Sequence, residues 1–395
     1  MKLYKNLVDG VVQSLEKIFN EGRYADRVIE FLFKDQKKWG ARDRRFVAET
    51  TYDIVRNYRL LHELSGSSND FYKLIGVYLI LHDSDLPAWE EFKGIDKREV
   101  EKKWHEAKNN RAVFQSIPDW LDNVGQEELG NRWGKELTAL NEQAPVVLRA
   151  NTLKGNAKSL KAKLNEEGTE TILLKEFGEA LALKERKNIF TSPSFKAGLF
   201  EIQDASSQLV AMFLEPEPGM FVIDACAGAG GKTLHIAALM QNKGKLVAMD
   251  VEERKLEELK RRATRASATT ITTKIISSEK SIAEFEGKAD RLLLDVPCTG
   301  LGVLKRNPDA KWKLSLQSLE EVKQKQKTIL QNYSKMLKPG GLMVYATCSI
   351  LPSENQKQTE IFLEANKNYS FVKEKTIYPS EGFDGFYMCL MKKNS

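Results

Sequence analysis

Phe221–Lys232 reads FVIDACAGAGGK, and the rest of the chain is organised around it. Phe221, Val222 and Ile223 form a short apolar run of the kind that makes a buried parallel strand. Asp224 ends the run. A loop of small residues follows (Ala225, Cys226, Ala227, Gly228, Ala229, Gly230, Gly231), and Lys232 and Thr233 open a helical pattern through Leu234, Ile236, Ala237 and Leu239. Strand, glycine-rich turn and helix together mark the place where an open α/β sheet holds a nucleotide-like ligand. Glycines there allow close approach to the backbone, and the helix start offers free N–H groups to an anion.

The spacing rules out the two common glycine motifs. A phosphate loop needs glycine five residues before Gly231, where Cys226 stands, and a dinucleotide fingerprint needs glycine at Thr233. Asp250 ends the next apolar strand, KLVAM at Lys245–Met249, at about the 20-residue distance from which a carboxylate reaches ribose hydroxyls. A nucleoside without a polyphosphate is the ligand this predicts. S-adenosyl-L-methionine fits, with its carboxylate near the loop. The competing reading is a tight strand-to-helix turn with no ligand.

The chain has 395 residues, room for two or three domains, and its 42% hydrophobic and 29% charged content is that of a globular protein. No apolar run has the length to span a bilayer and the start carries no signal pattern, so the expected location is cytoplasmic, with no membrane partner. Cys226, Cys298, Cys348 and Cys389 lack metal-ligand spacing, so no metal is expected and the thiols are read as reduced. A net charge of +6 permits an anionic partner without requiring one.

From Leu3 to about Leu64 the pattern is helical: Leu7, Val11, Leu15 and Ile18 recur at helical spacing, as do Val28, Phe31 and Leu32. Arg42, Arg44 and Arg45 precede a buried stripe and serve either packing or RNA contact. Phe71–His82 is a second apolar helix. An all-α domain over residues 1–105 follows, with the charged stretch Asp83–Asn110 as its boundary. Residues 106–200 read as a helical linker and a small α+β (RRM-like) module: a helix restarting at Ile117, strands at Val146–Asn151, Glu170–Leu174 and Ala180–Leu183, and a helix at Ser159–Asn165. Arg149 and Asn151 are candidate RNA contacts, or structural strand-end residues. Residues 201–395 read as a doubly wound Rossmann-like domain, with Asp204 capping its first helix, further strands at Lys274–Ile276, Arg291–Leu294 and Leu342–Tyr345, and Tyr387–Met391 as an added edge.

Two cysteines follow strand ends, Cys298 in DVPCTG after Leu294 and Cys348 in ATCS after Tyr345, where the functional residues of a parallel sheet collect. Either alone could be a core residue. Together, beside a cofactor loop, they point to methylation of a carbon that is not itself nucleophilic. A thiolate adding to carbon 6 of a pyrimidine makes carbon 5 an enamine carbon that can attack a sulfonium methyl, while a carboxyl group on N3 stabilises the adduct.

DACAGAGGKT at Asp224–Thr233, DVPCTG with LGVLKRNPDAKW at Asp295–Trp312, and ATCSILPSEN at Ala346–Asn355 resemble the RNA cytosine-C5 methyltransferases of the Nol/Nop/Sun family, in particular its bacterial RsmB-type ribosomal RNA enzymes. The matches run from about Ile117 to the end, including LRANTL, IQDASSQ and GFDGFYMCLMKK. DRRFVAETTYDIVRN at Asp43–Asn57 looks like part of the NusB-like RNA-binding domain of RsmB-type enzymes. The resemblance implies a class I methyltransferase domain with Cys348 as nucleophile and Cys298 assisting product release. Asp295 would lie at the cytosine and the cofactor methyl. Cys226, Ala227, Gly228, Ala229, Gly230, Gly231 and Lys232 would cradle the methionine part, and Asp250 the ribose. Lys305, Arg306, Lys311 and Trp312 would lie along the RNA, a small-subunit rRNA bound by a monomer. The chain departs from the family pattern in two places. Gly228 and Ala229 replace the usual Ala-Pro, and the third strand ends at Ser277 or Ser278, where an aspartate near the adenine is usual; Glu279 is a possible substitute. The alternatives are the same chemistry on tRNA, or a non-catalytic ribosome assembly factor.

Overall fold

The computed structural model describes residues 3–395. They fall into two compact units, residues 3–142 with 304–316, and residues 143–303 with 317–395.

The first unit is helical. Leu7, Val11, Leu15 and Ile18 are buried on the helix Lys5–Phe19, as their spacing predicts, and pack with Val47, Ile54, Leu74 and Ile75 in one core. In the helix Ala25–Asp35 the inward stripe is Val28, Ile29 and Leu32, while Phe31 faces solvent at 59% exposure. The expected boundary at residue 105 falls inside this unit. Asp83–Asn110 contains the helix Lys97–Ala107, and Val100, Ala107 and Val113 join the same core. Among the arginines, Arg44 packs, donating from Nε to the Trp39 carbonyl at 3.0 Å with its guanidinium over Phe33. Arg45 pairs with Glu49 on the surface, and Arg42 is exposed.

The segment Leu304–Leu316 belongs to this helical unit, and the burial of Lys305 and Lys311 within it corrects the expectation that these two lysines lie along RNA. Lys305 and Lys311 are each only 2% exposed. Lys311 Nζ donates to the Arg56 carbonyl at 2.7 Å and to Asn141 Oδ1 at 3.2 Å, and Trp312 Nε1 donates to the Val55 carbonyl at 2.7 Å. Asp309 accepts the Ala25 N–H at a helix start, and the Lys305 carbonyl accepts from Arg56 at 3.1 Å. Arg306 is half-buried. Lys311 thus caps the backbone of a neighbouring helix, Lys305 Nζ pairs with Glu142 at 3.5 Å, and neither lysine has surface to offer a phosphate.

The second unit holds two sheets. The smaller contains β1 (Val147–Ala150), β2 (Thr171–Leu174), β3 (Ala180–Leu183) and β4 (Phe200–Ile202) in the order β2-β3-β1-β4. β1 and β2 both run antiparallel to β3, so they are parallel to each other across it, a split βαβ unit closed by the helix Ala157–Glu166. β4 pairs with β1 across the boundary expected at residue 200.

The larger sheet contains β5 (Phe221–Asp224), β6 (Lys245–Asp250), β7 (Ile271–Ile275), β8 (Ala289–Asp295), β9 (Leu337–Thr347), β10 (Tyr369–Ile377) and β11 (Phe386–Lys393). Its order is β10-β11-β9-β8-β5-β6-β7. β5 to β9 are parallel, and β11 and β10 add an antiparallel hairpin. The central strands are buried on both faces, which is why Val222–Ile223, Leu246–Met249 and Leu292–Leu294 read as unbroken apolar runs. β11, expected at the edge, lies inside the sheet with Phe386–Met391 buried. The true edge is β10, whose exposed Lys373, Glu374 and Lys375 guard it against further pairing.

Chain order reverses between β5 and β8: β6 and β7 extend one way and β9 the other. The crevice beyond their carboxyl ends is the ligand position of such a sheet.

Candidate active site

The glycine loop continues the sheet before it turns. Ala225 donates to the Leu293 carbonyl at 3.0 Å and Ala227 to the Met249 carbonyl at 2.9 Å, so the loop is tied to both neighbouring strands. Asp250 then fixes its tip: Oδ2 accepts the Gly228 N–H at 2.8 Å and Oδ1 the Glu252 N–H at 2.9 Å. Gly230 is left-handed at φ +87, and a β-carbon there would lie 2.5 Å from Leu259 Cγ. The close approach that needs this glycine is that of a neighbouring helix. Gly228, at φ +53, is the loop glycine that borders the cavity.

The helix Gly231–Leu239 carries Lys232 in its first turn, and Lys232 Nζ donates to Asp295 Oδ2 at the end of β8 at 2.6 Å. Burial alone would lower the ammonium pKa, but the Asp295 carboxylate overrides it and holds Lys232 above its ordinary value; its charge also faces Cys348. Behind the pair, burial pushes Asp224 up to about 7, opposed by the Thr233 hydroxyl that donates to it at 2.7 Å.

Cys298 and Cys348 lie with their sulfurs 3.2 Å apart, both half-buried and free. The hydrogen bond with Cys348 holds the Cys298 thiol well above its usual range, helped by burial and the nearby Glu354 charge. Beneath them Glu354, with no solvent exposure, accepts from Thr299 N, Thr299 Oγ1, Ser349 Oγ and Gln326 Nε2.

A cavity of about 950 Å³ opens at this edge of the sheet. Of the residues expected at a cofactor, Cys226, Gly228, Lys232, Asp250, Ser278 and Asp295 line it, as do both Cys298 and Cys348. Ala227, Ala229, Gly230 and Gly231 support the loop from behind: Ala227 is buried in the core, and the Ala229 carbonyl accepts from Arg262 at 2.7 Å. Ser278, exposed, stands at the wall beside Ile276 and Glu279. Val251, Ile276 and Ile282 give the wall apolar surface of the kind a purine needs, with the Asp250 carboxylate beside it. The volume, the apolar wall and the acidic strand tip fit a nucleoside cofactor.

Arg149 and Asn151 are structural, which corrects their reading as RNA contacts. Both are buried. Arg149 donates to Gln203 and, at 2.7 Å, to the Gly231 carbonyl; Asn151 Nδ2 donates to the Gly198 and Ala266 carbonyls at 2.8 Å each. They hold the small sheet to the loop-bearing helix and to the helix Glu253–Ala266.

Sequence reasoning missed Glu354 and Gln326, and it missed one face of the helix Leu316–Tyr333. On that face Lys325, Thr328, Ile329, Asn332 and Tyr333 line the cavity at positions i, i+3, i+4, i+7 and i+8. Their mixed polarity hides the stripe.

A mixed seven-stranded sheet with this cavity at its switch point fits a methyltransferase domain, the class that comparisons with known proteins assign. The description "16S rRNA methyltransferase RsmB/F" matches residues 211–390, and the RsmF/B-like ferredoxin-like domain matches residues 117–190, over the split βαβ module. Ribosomal RNA small subunit methyltransferase B of Vibrio cholerae is 32% identical over 298 residues, 73% of this chain and 68% of the relative. Its Escherichia coli namesake is 28% identical over a 437-position alignment that spans all of both chains. The crystal structure of a methyltransferase homolog from Pyrococcus horikoshii superposes with a TM-score of 0.64 at 27% identity, covering 72% of this chain and 98% of that one. The chain belongs to the RsmB/F family of 16S rRNA methyltransferases. Among the described residues no cluster of metal-binding side chains occurs, and no helix is long and apolar enough to cross a membrane.

Proposed function

We propose that the protein methylates carbon 5 of a cytosine in 16S rRNA, with S-adenosyl-L-methionine as donor, through a covalent bond between Cys348 and carbon 6. The observation that carries this reading is the pair of free thiols in contact beside the Lys232–Asp295 ion pair at the cavity. A methyltransferase acting on a nucleophilic atom has no need of a thiol there. The donor, when bound, supplies an electrophilic methyl group on its sulfonium.

Every other step falls to the chain. The Cys298 S–H and the Lys232 ammonium stabilise a thiolate on Cys348, which forms the S–C6 bond; the 5,6 electrons shift toward carbon 4 and onto N3, and N3 takes the proton that Cys348 gave up, by way of the Asp295 carboxyl. Carbon 5 then takes the methyl group. The proton on carbon 5 leaves to solvent, its electron pair restores the 5,6 double bond, the C6–S bond breaks with its electrons on Cys348, and N3 returns its proton through Asp295. Cys298, kept as a thiol, offers its proton to the departing sulfur. A base within a stem must leave its stack to meet these groups. The helical unit, NusB-like in sequence, is the part we assign to RNA binding.

The test is transfer of labelled methyl from S-adenosyl-L-methionine to 16S rRNA, 23S rRNA and tRNA by wild type, Cys348→Ala and Cys298→Ala. Wild type should label 16S rRNA at cytosine C5, Cys348→Ala should label nothing, and Cys298→Ala should accumulate protein bound covalently to RNA. Undiminished labelling by Cys348→Ala removes the covalent mechanism. Labelling of tRNA alone moves the substrate, and absence of any labelling favours a non-catalytic assembly factor.

A further inference from the structure

The ladder between β8 and β9 ends at the bond from Val296 N to the Ala346 carbonyl, 3.0 Å. Beyond it the chain enters two loops that carry Cys298 and Cys348 and whose sulfurs must nonetheless meet. One main-chain link joins the loops there, from Gly302 N to the Cys348 carbonyl at 2.9 Å. Apart from the sulfur contact and a 3.5 Å contact between the Thr299 and Ser349 hydroxyls, the side-chain links among the described residues converge on one carboxylate. Glu354 Oε2 accepts the Thr299 N–H at 2.8 Å and Gln326 Nε2 at 3.0 Å; Oε1 accepts the hydroxyls of Thr299 and Ser349, each at 2.5 Å. Thr299 follows Cys298 directly, and Ser349 follows Cys348. Gln326 also donates to the Pro297 carbonyl at 3.0 Å, bracing the first loop from the helix behind it.

All four partners of Glu354 can act as donors, two as N–H groups and two as hydroxyls, which matches the acceptor-only inventory of an ionised carboxylate. A buried charge satisfied this fully is expensive to install and rigid once installed. We propose that Glu354 is the positioning residue that clamps the two cysteine loops and sets the contact between their sulfurs. The assignment rests on the two-thiol reading above and adds to it a group that touches neither RNA nor cofactor.

Three variants in the full chain separate the bridge from its charge. In Glu354→Gln the amide oxygen accepts from Thr299 N and Gln326, and the amide NH2 donates to the two hydroxyls, which rotate to receive it. The bridge persists without charge. Glu354→Asp keeps the charge but is one methylene too short to reach both loops, and Glu354→Ala removes the bridge. The turn itself has other support, from Asn355 Nδ2 to the Ser349 carbonyl and from Ser349 N to Thr347 Oγ1, so the variants should fold.

The first readout needs no RNA. Diamide takes two hydrogens and two electrons from a thiol pair, and mass mapping follows closure of the Cys298–Cys348 disulfide. Wild type and Glu354→Gln should close it at rates within about threefold of each other, and Glu354→Ala and Glu354→Asp about tenfold more slowly, because closure follows thiol proximity. The second readout is methyl transfer: kcat should fall about 10²-fold in Glu354→Ala, with KM for S-adenosyl-L-methionine unchanged and Glu354→Gln retaining most of the rate. Closure as fast in Glu354→Ala as in wild type overturns the clamp. Should Glu354→Ala not fold, Thr299→Val with Ser349→Ala removes the two hydroxyl links and should slow closure in the same direction; undiminished closure there overturns it equally. If wild type labels no RNA but the disulfide rates fall as expected, the clamp stands and the proposed reaction falls.

Discussion

Lys232 Nζ meets Asp295 Oδ2 at 2.6 Å, joining the first turn of the helix after β5 to the end of β8 across the switch point of the sheet. The lysine also lies over the Phe386 ring, 4.9 Å from its centroid, so β11 helps hold the ammonium in place. One ion pair therefore locks three elements where the cavity opens, and it leaves a positive charge beside the Cys348 sulfur.

Lys232→Met should leave the Asp295 carboxylate without a partner and, in the proposed reaction, the Cys348 thiolate without a cation. Because Asp295 is 26% exposed on its side chain, water compensates part of the loss, and stability should fall by only about 1–2 kcal/mol. Methyl transfer should fall about 10²-fold or more, since the thiolate loses its charge stabilisation. Thermal melting and single-turnover labelling measure the two effects. A rate within threefold of wild type would show that the pair is purely structural.

Residues expected on RNA but found buried should behave as packing residues. Asn151→Ala strands the Gly198 and Ala266 carbonyls and should cost about 1–3 kcal/mol. Lys311→Met loses two hydrogen bonds but also relieves a cation that burial pushes well below the lysine range, so its net cost should stay within about 1 kcal/mol. Neither should change the salt dependence of RNA binding, whereas losing a true phosphate contact would lower the slope by about 1. A reduced slope in either variant restores the RNA reading.

How far the fold was legible follows from these same residues. Val222–Ile223 and Leu246–Met249 are buried on both faces, so their apolar runs announce parallel strands, and the small-residue loop between them announces the ligand edge. β10 went unread because an edge strand facing water on one side carries Lys373-Glu374-Lys375, a pattern shared with loops. Lys311 reads as an RNA contact in the sequence because a lysine whose stem packs and whose Nζ caps a carbonyl has the same letter as one that binds phosphate. Both cysteines and Asp295 were legible from motif and strand end. Glu354 lay inside a quoted motif, but its role depends on Thr299 and Gln326, which only the tertiary fold brings near it.

Asp224 should leave a mark on the pH dependence of stability. Burial, assisted by the nearby Asp295 charge and opposed by Thr233, raises its pKa from 3.8 to about 7. The native state thus keeps a proton that the unfolded chain has released between those values, and stability from this group falls as pH rises from about 4 to 7, then levels. The full effect is on the order of 4 kcal/mol. Asp224→Asn keeps an acceptor for the Thr233 hydroxyl and removes the titration, so its unfolding midpoint in urea should lose less than that of wild type between pH 5 and 8. Parallel profiles would mean that Asp224 stays ionised throughout.

Two glycines of one loop should fail differently when given a methyl group. Both are left-handed, Gly228 at φ +53 and Gly230 at φ +87, so alanine costs about 1 kcal/mol of backbone strain at either. At Gly230 the added carbon would also lie 2.5 Å from Leu259 Cγ, forcing the helix Glu253–Ala266 outward at a further cost of about 1–3 kcal/mol. At Gly228 nothing lies within 4 Å, and the methyl group projects at the cavity wall. Gly230→Ala should therefore melt markedly lower, while Gly228→Ala should melt near wild type but bind S-adenosyl-L-methionine about tenfold more weakly, a loss of about 1.4 kcal/mol. Calorimetric titration beside thermal melting separates them. Equal cofactor affinity in Gly228→Ala and wild type would place the donor elsewhere along the cavity.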